Sequence, residues 1–186
     1  MAESQGKVVR IITRLNVGGP AQQAVGLSDQ LTPLGWTTIL ITGQAEAQEG
    51  TMDHLLEGHS IQRIHLAALQ RSLHPVRDIL AGWQILSILL REKPDLLHTH
   101  MAKAGALGRL AGVFYRVLTR RPLRILHTFH GHVLDGYFHL WANRFFRFLE
   151  ICLATGTDRL IAVSLSVRED LLRLGIGSPE KIQVIP

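Results

Sequence analysis

Hydrophobic positions along this chain keep changing period. Short β-branched runs alternate with longer stretches in which apolar residues recur every three or four positions. The first run, Lys7 to about Leu15, contains Val-Val-Arg-Ile-Ile and reads as a strand. Asn16-Val17-Gly18-Gly19-Pro20 then turns the chain, and Pro20 suits the first turn of a helix running to about Leu34. Strands are predicted at Thr37–Thr42, Ile61–Leu66, Asp95–His100, Arg124–His130, Arg159–Ser164 and Lys181–Ile185. Between them the spacing predicts helices over Val76–Lys93, Lys103–Leu118, Phe138 to about Ala154, and Val167–Leu174, with a short helix near Met52–Glu57. Pro75 opens the second long helix and Pro94 closes it.

This alternation from end to end predicts one α/β domain: a Rossmann-like, open, mainly parallel sheet with helices on both faces. Such sheets bind ligands beyond the carboxyl ends of their strands, near the point where the strand order reverses. The residues that matter are therefore those at the strand exits. These are Asn16–Gly19, then His98 and His100, His130 and His132, and Ser164.

Two glycines at 18 and 19 let a backbone approach a ligand, and the helix behind them offers unpaired N–H groups to an anion such as a diphosphate. A plain tight turn is the other reading. Neither GxGxxG nor GxxxxGK[ST] occurs, so a dinucleotide fingerprint and a P-loop are not supported. His98 and His100, two apart, share a strand face. His98 and His127, deeper in their strands, read as hydrogen-bonded structural residues. His100, His130 and His132, at the exits, are placed to touch substrate hydroxyls or phosphate. No Cys, Asp or Glu completes a familiar ligand set beside them, so no metal is expected. Lys103 reads either as an anion or acceptor contact or as a solvated lysine, while Gly105 and Gly108 permit close helix–sheet packing.

Composition narrows the picture modestly. The 186 residues are 46% hydrophobic and 19% charged, enough for one sizeable core. A net charge of +5 favours anionic partners, and the basic cluster Arg116, Arg120, Arg121 and Arg124 is either such a patch or a solvated surface. No nucleic-acid partner is expected. Cys152, the single cysteine, reads as a small buried hydrophobe. The polar start MAESQGK has no signal-peptide core, and Ile85–Leu90 is too short to span a bilayer, which together predict a cytoplasmic protein. Phe138, Trp141, Phe145 and Phe148 fall at helical spacing, as a core stripe would. Beside Arg144 and Arg147 they also suit a membrane interface.

RLNVGGPAQQAVGLSDQL (14–31), PDLLHTHMAKAGALGRLAG (94–112), ILHTFHGH (125–132) and RLIAVSLSVREDLLRLGIGSPEKIQVIP (159–186), in this order and spacing, resemble the N-terminal domain of retaining GT-B glycosyltransferases of family 4. The second segment looks especially like enzymes of capsular, exopolysaccharide or lipid-linked glycan synthesis. The resemblance implies transfer of a sugar from a nucleotide-sugar donor to a polysaccharide or polyprenyl-linked acceptor, without a metal or other cofactor. It further implies that Gly18 and Gly19 approach the donor diphosphate, that His130 reaches the transferred sugar as the catalytic residue, and that 98–112 shapes the acceptor side. His100, Lys103, His132 and Ser164 complete the expected binding set.

The resemblance also implies a second, donor-binding domain that residues 1–186 do not include, so that this chain alone is expected to be an incomplete catalyst. Glu49 and Glu57 share the eight-residue spacing of that missing domain's paired glutamates, but they precede the third strand and read as a coincidence. The other readings are half of a sugar-nucleotide epimerase of the same architecture, and a non-catalytic module binding a glycan or phosphate. A peripheral contact with the inner face of a membrane is compatible with all of this.

Overall fold

Seven strands form a single parallel sheet in the order β3-β2-β1-β4-β5-β6-β7. They are β1 (Gly6–Ile12), β2 (Trp36–Gly43), β3 (Gln62–Leu66), β4 (Leu96–His100), β5 (Arg124–Phe129), β6 (Arg159–Ala162) and β7 (Ile182–Val184). The helices are α1 (Gly19–Leu31), α2 (Pro75–Glu92), α3 (Ala102–Thr119), α4 (Leu140–Thr155) and α5 (Leu165–Arg173). The computed structural model describes residues 5–46, 48–59, 61–131 and 140–186. The expected Rossmann-like α/β sheet is therefore present, with every predicted strand and helix in its predicted place. The predicted short helix at 52–57 is a single 3-10 turn, Asp53–Leu56.

Strand order reverses between β1 and β4, and the helices divide at the same point. Ala21, Ala24 and Val25 of α1 pack with Ile12 and Leu40 on one face. On the other, Ala81, Ile85 and Leu89 of α2 and Ala104, Ala111 and Tyr115 of α3 pack with Val9, Ile11, Ile39, Leu97 and Ile125. Farther along that second face, Phe129, Leu160, Ala162 and Ile182 meet Val167 and Leu171 of α5.

Three glycines set how closely α3 lies on the sheet. A Cβ at Gly105 would stand 2.4 Å from the His127 ring, one at Gly108 2.7 Å from Thr99, and one at Gly112 2.7 Å from Leu97. The side of α3 turned away from α2 is fixed by a buried ion pair. Arg109 Nη2 donates to both carboxylate oxygens of Glu150 on α4, at 2.9 and 2.7 Å.

The core also holds polar groups. Arg10, in the middle of β1, is 1% exposed. Its Nε donates to Ser28 Oγ at 3.1 Å, and its Nη1 lies 2.5 Å from His98 Nδ1. A guanidinium only donates, so His98 Nδ1 accepts, and the ring proton sits on Nε2 and is given to Thr128 Oγ1 at 2.8 Å. On the opposite face Thr99 Oγ1 donates to the Leu126 carbonyl and takes a bond from His127 Nδ1 at 2.9 Å. The structural reading of His98 and His127 thus has a definite geometry. Burial, with a smaller contribution from nearby cations, holds both imidazoles well below their ordinary value of 6.5 and therefore neutral. Burial likewise brings Arg10 down to about 10.

Several expectations are corrected. Cys152 is exposed, because it lies on the outer side of α4 rather than the inner one. Phe145 and Phe148 are also exposed rather than part of the core. Phe138 and the side chain of Trp141 lie outside the described residues. Within the basic cluster, Arg116 is tied to the Leu123 and Gly156 carbonyls and to Asp158, whereas Arg120, Arg121 and Arg124 are exposed at the edge where the strands begin.

Gly105→Ala should cost about 1–3 kcal/mol in a chemical denaturation experiment, since the added methyl meets a buried ring. The buried imidazoles fix the sign of the acid response. The unfolded chain takes up protons near 6.5 and the folded one only well below it, so stability is complete above that value and is lost as pH falls. Melting temperature measured by circular dichroism should drop from about pH 7 to about pH 5, before most carboxylates titrate. A flat profile over that interval would contradict the neutral, buried histidines.

Candidate functional site

The exits of β1, β4 and β5 lie side by side at the reversal of strand order. β1 runs out through Thr13, Arg14 and Leu15 into Asn16, which makes an isolated antiparallel bridge with Thr51. Arg14 is buried beneath this loop. It pairs with Glu49, Nε to Oε2 at 2.5 Å and Nη2 to Oε1 at 2.7 Å, and Arg71 stands 3.6 Å from the same carboxylate. The Arg14 hydrogen bond holds the Glu49 carboxyl below its usual range. Glu49 is therefore a structural anchor for the loop over β1, and Glu57 is an exposed residue past a 3-10 turn, consistent with a coincidental spacing.

Gly18 caps the start of α1 with φ 151°, a backbone conformation that side-chain-bearing residues rarely adopt. No side chain caps this helix, and Pro20 occupies its first turn. Gly18 N–H points to Met52 Sδ at 3.4 Å, a weak acceptor. Nothing stands within 4 Å of where a Gly19 Cβ would be. The turn thus leaves open space in front of a helix N-terminus, as binding of an anion requires.

His100 ends β4. Its ring is tilted at 38° to that of His98 with centroids 4.3 Å apart, and its Nδ1 lies 2.9 Å from His130 Nε2 just past β5. One proton lies between the two rings. His100 Nε2 is buried with no hydrogen-bond partner among the described residues. An unpaired buried acceptor is tolerated better than an unpaired N–H, so the proton sits on His100 Nδ1 and His130 Nε2 accepts. His130 then carries its own proton on Nδ1. Burial pushes His130 down to about 4 and His100 well below 6.5, which keeps both rings neutral at physiological pH. Of the two, only His130 is partly exposed, so His100 meets the cleft through His130 rather than directly.

The residue between β4 and α3 carries a signal that periodicity could not show. Met101 has φ 67° and ψ 158°, a region that is almost exclusively glycine's and costs on the order of 1–3 kcal/mol for other residues. Its side chain packs against the α1 cluster while its carbonyl accepts from Gly105 N at 2.8 Å, starting α3 on the opposite face. Thr13 Oγ1 accepts from Ala104 N at 3.1 Å and ties the exit of β1 to the same helix start.

Lys103 follows neither expected reading. It is only 10% exposed, and its Nζ donates to Asp78 at 2.6 Å and to the Ser72 carbonyl, binding α3 to the start of α2. In this geometry it is not free to hold an anion. Ser164 serves as the N-cap of α5, its Oγ accepting from Val167 N at 3.2 Å. His132 lies outside the described residues. The structure thus brings His100 and His130 together, sets the Gly18–Gly19 turn on the same sheet edge, and gives Lys103 and Ser164 local structural partners. Among the described residues, no group of three or more His, Cys, Asp or Glu side chains is arranged to hold a metal ion.

Known proteins are similar to this chain in sequence and in fold. The chain is 30% identical over 127 residues to an Escherichia coli UDP-Gal:alpha-D-GlcNAc-diphosphoundecaprenol alpha-1,3-galactosyltransferase, an alignment covering 68% of this chain and 32% of that protein. Sucrose-phosphate synthase from Thermosynechococcus elongatus superposes with a TM-score of 0.68 at 16% identity, over 98% of this chain and 48% of that one. A UDP-GlcNAc 2-epimerase from Neisseria meningitidis, solved with UDP-GlcNAc bound, gives 0.66 at 15% identity, over 96% and 46%. The chain therefore spans about a third of its curated relative and just under half of these solved structures. The two structural matches establish the fold, one Rossmann-like unit of the kind found in GT-B enzymes. The model of Glycosyltransferase Family 4 matches residues 17–186, nearly the whole chain, and the protein belongs to that family.

Proposed function

We propose that this chain is the acceptor-side domain of a glycosyltransferase that moves a sugar, with retention of anomeric configuration, from a nucleotide-sugar to a lipid-linked or polysaccharide acceptor of the cell envelope. The carrying observation is the neutral His130, held by His100 on the sheet edge that also bears the open Gly18–Gly19 turn. Sugar transfer builds positive charge on the ring and negative charge on the departing diphosphate. A protonated imidazole beside the ring would oppose the first. A neutral His130, its Nδ1–H without a partner among the described residues, can hold a sugar hydroxyl without that repulsion. Unpaired N–H groups at the start of α1 suit the second charge. No metal or other cofactor enters this reading.

The name of the Escherichia coli relative specifies a UDP-sugar donor and a diphosphoundecaprenol-linked acceptor, and this supports the lipid-linked class. Most of the donor's contacts fall to a second domain, on the same chain or a partner chain, and residues 1–186 alone are expected to be inactive. The place of work is the cytoplasmic face of a membrane, bound peripherally. No helix among the described residues is long and apolar enough to cross a bilayer. The epimerase similarity favours a second reading, half of a sugar-nucleotide epimerase.

Purified 1–186, alone and joined to a family donor-binding domain, should be assayed with a nucleotide-sugar panel and a polyprenyl-diphosphate-linked acceptor. Transfer is expected only from the joined form. Robust turnover by 1–186 alone would contradict the incomplete-catalyst reading, and isomerisation of the nucleotide-sugar without acceptor would establish the epimerase. In the joined form His130→Ala should lower turnover by about a hundredfold or more while the melting temperature changes little. Unchanged turnover would remove His130 from the site.

A further inference from the structure

Among the described residues three arginines are buried: Arg10, Arg14 and Arg109. Two of them meet a carboxylate, Arg14 that of Glu49 and Arg109 that of Glu150. Arg10 meets none, and its bonds go to a serine hydroxyl and an imidazole. A buried cation without an opposite charge is costly, and a neutral side chain of similar volume would pack there without that cost. The two hydrogen bonds do not require a charge either, since an amide also donates. What sets Arg10 apart from a neutral donor is its charge.

The surroundings show where that charge acts. Alternation along β1, β4 and β5 puts Arg10, His98, His100 and Thr128 on one face of the sheet. Arg10 is in register with His98, and His100 with Thr128. Together with His130 they form a row from mid-sheet to the cleft. Arg10 donates to His98, the rings of His98 and His100 have centroids 4.3 Å apart, and His100 lies 2.9 Å from His130.

Few other charged or titratable groups face these rings. β1 supplies Arg10, and β5 supplies His130 and, on the opposite face, His127. On α1, which covers this face, the only acid is Asp29, held by His59 at 2.7 Å. Burial is the largest cause that keeps His98 and His100 neutral, and the Arg10 charge adds to it at both. A guanidinium only donates, so the His98 nitrogen it meets accepts and has no room for a proton. A neutral amide in its place can turn its oxygen toward a protonated ring.

We infer that Arg10 is a positioning residue for His130: a fixed positive charge in mid-sheet that acts through His98 and His100 to keep a mobile one away from the cleft. Its importance for transfer rests on the role proposed above for His130, whereas its effect on the histidine row does not.

The experiment is nitrogen NMR of the intact chain labelled at histidine, between about pH 5 and about pH 8. Three forms are compared: the native chain, Arg10→Gln, which keeps a donor without the charge, and Arg10→Lys, which keeps the charge. His98 and His100 are expected to stay neutral throughout in the native chain and in Arg10→Lys. In Arg10→Gln at least one of them should titrate inside the interval, about one pH unit or more above its native midpoint. Circular dichroism checks folding, and Arg10→Met, equally uncharged, stands in where Arg10→Gln does not fold. Native-like histidines in the uncharged variant, or an equal change in Arg10→Lys, overturn the inference. So does a native His98 or His100 that titrates above about pH 6, a result that needs no variant. Joined to a donor-binding domain, Arg10→Gln should lower kcat about tenfold or more near pH 6 and much less near pH 8, with KM for the nucleotide-sugar little changed. An equal loss at both pH values marks a merely structural role and overturns the inference as well. The NMR arm needs no turnover, so its failure and the failure of the transferase reading are separate results.

Discussion

The close seating of α3 on the sheet is the constraint from which the rest of the site follows. Gly105, Gly108 and Gly112 bring the helix axis near His127, Thr99 and Leu97, where any side chain would collide. With the helix held there, its first turn lies against β1 closely enough for Thr13 to accept a bond from Ala104. The chain must then pass from His100 into α3 within a single residue, and Met101 takes up the strained turn this demands. His100 lies on the other face of the sheet, in register with Ile12 and Thr128, and is buried there beside His130.

A second theme is the use of uncharged imidazole as a core polar group. His98 accepts from a buried guanidinium and donates to Thr128, His127 is held by Thr99, and His100 donates to His130. The Arg10 guanidinium, which can only give, sets the proton of His98, and the Leu126 carbonyl, which can only take, sets that of His127 through Thr99. Burial makes protonation unfavourable at all four, which keeps these rings uncharged at the sheet edge.

The fold was legible in the sequence because β-branched runs such as Val8–Ile12 and helical spacings such as Ala81–Ile85–Leu89 report local periodicity, and their alternation limits the topology. The glycines of α3 and the histidines at the strand exits were legible for the same reason: their positions within an element determine what they face. Arg10 was not. A charged residue inside an apolar strand shows nothing of its partners, which lie eighteen and eighty-eight positions away. Met101 carried no signal, since backbone strain is a product of tertiary packing. Phe145, Phe148 and Cys152 illustrate the converse limit. Spacing shows that residues share a helix face without showing whether another element covers it, and here the outer side of α4 is bare. Lys103 was visible as a cation near a helix start, but its Asp78 partner stands on the first turn of α2, another part of the chain.

Met101 has a further consequence. Glycine would adopt its backbone angles freely, yet the position holds a side chain that reaches the α1 cluster on one face while the main chain begins a helix on the other. The residue works as a rivet through the sheet edge, and the conformational strain is the tension on it. Any change that relaxes the backbone also removes the head of the rivet, so the alignment of the two helical layers and the comfort of this one peptide unit cannot be improved together.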